Sequence, residues 1–87
     1  MNRKMKQPQI KQTQFAVLMA DGSTGNVLTT AGQIYHGDNQ EVYMIFDDLQ
    51  SANQYIANKQ GENDTVDCSV FDSNYVLIAH EPAIKWR

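Results

Sequence analysis

Phe46-Asp47-Asp48-Leu49-Gln50-Ser51-Ala52-Asn53-Gln54-Tyr55-Ile56-Ala57-Asn58-Lys59-Gln60-Gly61 is the stretch that decides the fold. With a turn of about 100° per residue, Leu49, Ala52, Tyr55 and Ile56 share a stripe roughly 120° wide, enough to rest on a sheet. Asp47 followed by Gln50 reads as a capping-box variant, the carboxylate meeting an orphan N–H and the amide reaching back. Gly61 is the expected left-handed stop, and Lys59 sits where the helix dipole is negative. Everything on either side reads as strand or turn.

Working outward, Glu41-Val42-Tyr43-Met44-Ile45-Phe46 is a strand that feeds the helix. Before it, Phe15-Ala16-Val17-Leu18-Met19-Ala20 is a strand apolar on both sides, closed by the turn-rich Asp21-Gly22-Ser23-Thr24-Gly25-Asn26. Residues 27–36 are extended, with a break near Ala31-Gly32. After the helix, residues 62–64 return the chain to the sheet, and a hairpin follows around Asp72-Ser73-Asn74. With Asn74 left-handed, Phe71 faces Tyr75, Val70 faces Val76 and Cys68 faces Ile78. That register makes one side Val66, Cys68, Val70, Val76 and Ile78, wholly apolar. The other side is Asp67, Ser69, Phe71, Tyr75, Leu77 and Ala79.

The order is therefore β-β-β-α-β-β: an α+β fold with a single antiparallel sheet of about five strands and one helix packed on one face. Residues 1–14 are basic and polar and read as a disordered or loosely held tail, 15–81 as the domain, and 82–87 as a short tail in which Trp86 packs somewhere. At 87 residues the chain can support one modest core.

Charge is unevenly distributed. Residues 15–81 hold ten acids against the single base Lys59, a net of −9, while Arg3, Lys4, Lys6, Lys11, Lys85 and Arg87 flank them. An acidic body repels a phosphate backbone, so nucleic acid is not the expected partner. No apolar run approaches the length of a membrane span, and the N-terminus lacks the apolar core of a secretory signal. A lone Cys68 cannot form an internal disulfide, and a cytoplasmic location is expected.

Chemistry-bearing patterns are sparse. One cysteine and two histidines lie at no zinc spacing. The loop from Asp21 has Gly25 and Asn26 where a calcium loop needs an oxygen ligand and then glycine, and it lacks the ending of a P-loop. Cys68 with His36 or His80 could form a nucleophile pair, but its place on the inner side of a strand favours a packed thiol. His80 falls near Val66 at the sheet's end, and His36 in an exposed turn. Asp47 and Asp48 are read as cap residues, not as an acid/base pair. No catalytic residue, cofactor or metal is expected.

The informative feature is surplus apolar surface. Five strands side by side span roughly 19 Å, about twice the width of a helix. Phe71, Tyr75, Leu77 and Tyr43 therefore mark a candidate interaction face on the side without the helix. A curled sheet, the Trp86 tail, a second copy or another partner could cover it. The sequence points to a small non-enzymatic protein-interaction module, self-associating as a homodimer through that face or an edge strand. The alternative is a small acidic inhibitor or immunity-type protein that binds a basic partner protein.

Overall fold

Strand β1 (Phe15–Asp21) is the axis of the molecule: three other strands pair with it in a computed structural model that describes residues 7–37 and 40–87. β2 (Val27–Leu28) and β3 (Tyr43–Phe46) both lie antiparallel along one flank of β1. Met19 faces Leu28 at one end of that flank, and Phe15 faces Phe46 at the other. On the opposite flank β4 (Val66–Phe71) runs the length of β1, from Ala16 opposite Phe71 to Asp21 opposite Val66. β5 (Leu77–Glu81) pairs with β4 and forms the far edge. The architecture is α+β, with one antiparallel sheet of five strands, one helix and the order β-β-β-α-β-β. Because β2 and β3 share a flank, the sheet is only four strands across, about 14 Å at the usual spacing.

Helix α1 (Leu49–Glu62) begins one residue later than the capping pattern predicts. Asp48 is the N-cap, its carboxylate accepting from Ser51 N–H at 2.7 Å. Asp47 instead accepts from the Gln14 side-chain amide at 2.8 Å. Gly61 does not stop the helix. The turn runs through it to an extended Asn63, whose N–H bonds the Lys59 carbonyl. The buried stripe is Ala52, Ile56 and Gln60, whereas Leu49 is exposed at the first turn. Tyr55 is partly buried, its ring 5.1 Å from that of Phe46. This face packs on Val17, Met19, Leu28, Val66, Cys68 and Val70, the main core.

Gln60 is the one buried polar side chain on that helical face, and its surroundings explain it. Its amide nitrogen donates to the carbonyls of Val66, Glu81 and Pro82 at 3.0–3.2 Å, while its oxygen accepts from Arg87 at 2.9 Å. Three carbonyls on one side and a guanidinium on the other allow only one amide orientation. Among the described residues no buried side-chain polar atom lacks a partner. Residues 82–87, read as a short tail in which Trp86 packs somewhere, are thereby tied down. Ala83 N–H donates to Asp67 at 2.6 Å, and a 3-10 turn (Ile84–Trp86) follows. Trp86 lies over Gly22, where an added Cβ would stand 3.0 Å from the indole and 2.9 Å from the Thr65 carbonyl.

The stretch 27–36 is a miniature hairpin. Thr29 N–H bonds the Gln33 carbonyl, Tyr35 N–H bonds the Val27 carbonyl, and Gly32 turns the chain at φ +82°. The last hairpin departs most from the predicted register. The turn is Asp72 to Val76, with Tyr75 and not Asn74 left-handed at φ 59°. A bulge follows, so Val70 faces Ala79 and not Val76, and Cys68 faces Glu81 and not Ile78. The displacement is three residues, an odd number, and an odd slip exchanges the two sides of a strand. Val66, Cys68 and Val70 keep their inward side, but Val76 and Ile78 lose theirs. No described helix is long and apolar enough to cross a membrane.

Candidate interaction surface

The turn chemistry of the last hairpin puts its apolar residues outside. The Asp72 carboxylate accepts from Asn74 N–H at 2.9 Å and Val76 N–H at 3.0 Å, which anchors the turn one position beyond the sequence prediction. With the bulge, consecutive side chains emerge at the free edge: Val76 is 56% exposed, Leu77 54% and Ile78 45%. No other described strand pairs with the outer side of β5. An edge strand presents unpaired N–H and C=O groups, and natural edges are usually blunted by lysine, proline or an inward-pointing charge. From Leu77 to His80 this strand has none of these, while a bulge lies at its start and Glu81 and Pro82 close its end.

The residues of the predicted face separate into two groups. Tyr43, Phe71 and Tyr75 come together on the side of the sheet away from the helix, with Tyr43 6.1 Å from Phe71 and 5.2 Å from Tyr75 between ring centroids. Tyr43 is only 6% exposed. With Ala16 and Val42 it forms the centre of a second small core, flanked by Ile10, Leu18, Val27, Tyr35 and Ile45. Leu77 stands apart, at the edge.

Part of the cover on this face is the N-terminal segment, described from residue 7 onward. Ile10 packs on the second core, Gln7 donates to the Tyr43 hydroxyl at 3.4 Å, and the Tyr75 hydroxyl donates to the Pro8 carbonyl. Burial, and then the neighbouring Tyr43, push the Tyr75 hydroxyl above its ordinary value, so it remains a donor at neutral pH. Beside the segment a cavity of about 280 Å³ is lined by Pro8, Glu41, Val42, Tyr43 and Ile45. The sequence carried one sign of this contact: Ile10 beside Pro8 in an otherwise polar stretch.

Groups that could carry chemistry do not converge. Cys68 is wholly buried, and burial followed by the nearby Asp67 and Glu81 pushes its thiol up to about 11. A thiol in that state is a poor nucleophile near neutrality. His80 is not near Val66 as the predicted register had it. It lies opposite Ser69, its Nδ1 at 3.1 Å from the Ser69 hydroxyl on an exposed surface. The Asp21 loop is an ordinary turn whose carboxylate accepts from Ser23 N–H and Oγ. These bonds hold the Asp21 carboxyl below its usual range. Among the described residues no three His, Cys, Asp or Glu side chains are placed to hold a metal ion.

By fold and surface the chain is a small α+β domain with β5 at an edge that no described strand pairs and an aromatic face partly covered by its own N-terminal segment. No protein-family model matches it, and neither does a curated protein or a solved structure.

Proposed function

We propose that this protein is a non-enzymatic interaction module that self-associates by antiparallel pairing of β5 with β5 of a second copy. The observation that supports this reading most is the run Val76-Leu77-Ile78, each about half exposed, along the unpaired edge. Pairing about Ile78 sets Leu77 of one copy against Ala79 of the other, apolar on apolar. Glu81, the only charged residue of β5, is left at the strand's end, so the two copies do not oppose like charges. The edge is favoured over the second face because that face already has a cover from the same chain.

Sedimentation velocity across a concentration series tests the proposal. The wild-type chain is expected to pass from monomer to dimer as concentration rises, and Leu77→Lys with Ile78→Lys to remain monomeric with unchanged circular dichroism. A wild type that stays monomeric at millimolar concentration would refute it. The acidic body, net −9 over residues 15–81, supports a second reading as an inhibitor of a basic protein. That reading requires association to weaken steeply with added salt, whereas apolar edge pairing does not.

A further inference from the structure

We propose that the groove under residues 7–10 is a peptide-binding site that takes an extended, proline-containing, basic segment from another protein. The chain's own segment is its resident occupant. This surface is distinct from the β5 edge, and the proposal does not depend on that edge pairing.

Three observations carry it. The segment is held by side chains of the sheet and not by strand pairing: Tyr75 donates to a backbone carbonyl, Tyr43 accepts from Gln7, and Ile10 enters the apolar cluster. Recognition of a main-chain carbonyl plus one apolar anchor is how extended peptides are read, and proline lowers the entropy such a ligand loses. The occupant also underfills its site, since the cavity of about 280 Å³ runs alongside Pro8 and is lined by Val42, Tyr43 and Ile45. A bulkier side chain two or three positions from the proline would fill it.

The third observation is charge. Glu41 lines the cavity and Asp47 accepts from Gln14 at the segment's end. In the sequence, Arg3, Lys4 and Lys6 precede this segment and Lys11 follows Ile10. One carboxylate at the cavity, a second at Gln14, and a segment flanked by bases in the sequence favour a basic ligand. The left-handed backbone of Tyr75 fits this role. A tyrosine at positive φ is unusual, and here it lets the ring pack on Tyr43 and Phe71 while the hydroxyl reaches Pro8.

The test is fluorescence anisotropy with a labelled synthetic peptide of residues 1–14, titrated with the full chain and with full-chain Ile10→Asp. In the wild type the resident segment competes. Ile10→Asp weakens that competitor and is expected to bind the peptide about tenfold more tightly, the gain that follows when the segment fills the groove about nine-tenths of the time. Adding Tyr75→Phe to Ile10→Asp should weaken binding several-fold, and a peptide with aspartate in place of Ile10 should not bind. Equal affinity of wild type and Ile10→Asp, or no binding to either at 1 mM, would overturn the proposal. Loss of the thermal transition in Ile10→Asp would overturn it too, because the segment would then be a fixed part of the core.

Discussion

At Gln60 a polar side chain closes the core by donating to the carbonyls of Val66, Glu81 and Pro82, and Arg87 holds its oxygen. Replacing it by leucine removes the bonds to Val66, Glu81 and Pro82 and leaves Arg87 without the Gln60 oxygen, so Gln60→Leu is expected to destabilise by about 1–3 kcal/mol in urea unfolding. A conservative volume therefore does not make a conservative substitution here. Cys68 makes a different residue-scale statement. Its thiol is raised in the folded state from an ordinary 9.0 to about 11. The unfolded chain loses that proton first, so stability is undiminished below about pH 9 and falls between there and about pH 11. Urea midpoints measured from pH 7 to 10.5 should drop in the wild type and drop less in Cys68→Ala.

At the scale of elements, the helix start rests on one aspartate. Asp48→Ala is expected to lower the melting temperature, while Asp47→Ala, which loses one exposed bond to Gln14, leaves it nearly unchanged. Hydrogen bonds from Ser51 hold the Asp48 carboxyl below its ordinary 3.8. Its contribution is therefore present above that value and lost as pH falls through the lowered one, and the wild-type and Asp48→Ala melting curves should converge in acid. The helix was readable from its apolar spacing because Ala52 and Ile56 must face the sheet wherever the cap lies. The cap was not, because either adjacent aspartate can take the role and Gln14, distant in sequence, decides between them. The last hairpin was half readable for a similar reason. Val66, Cys68 and Val70 alternate unambiguously. The turn position depends on Asp72 reaching two amides and on Tyr75 finding Tyr43, Phe71 and Pro8, contacts that local preference for Asn74 cannot foresee.

At the scale of the whole molecule, the surplus apolar surface inferred from the sequence is divided between two solutions. One is internal: the aromatic face is built into a second core with residues of the N-terminal segment. The other is the β5 edge, which no described strand pairs. Covering the face could not be assigned from sequence, since a polar stretch with one isoleucine gives no periodic signal. The open edge could not be assigned either, since it arises from a bulge. The association proposed through β5 and the peptide proposed for the aromatic face use these two surfaces separately. A Leu77→Lys, Ile78→Lys chain should therefore lose dimerisation and keep whatever peptide affinity the groove has.

The placement of β1 also governs the order in which the chain can be completed during synthesis. β1, β2 and β3 leave the ribosome in succession and can zip along one flank at once. The other flank of β1 must wait for β4, which emerges only after the entire helix. Until β4 is available Val17 and Met19 lack their partners Val70 and Cys68, so the pairing that spans most of β1 is a contact of high sequence separation, the kind that slows folding.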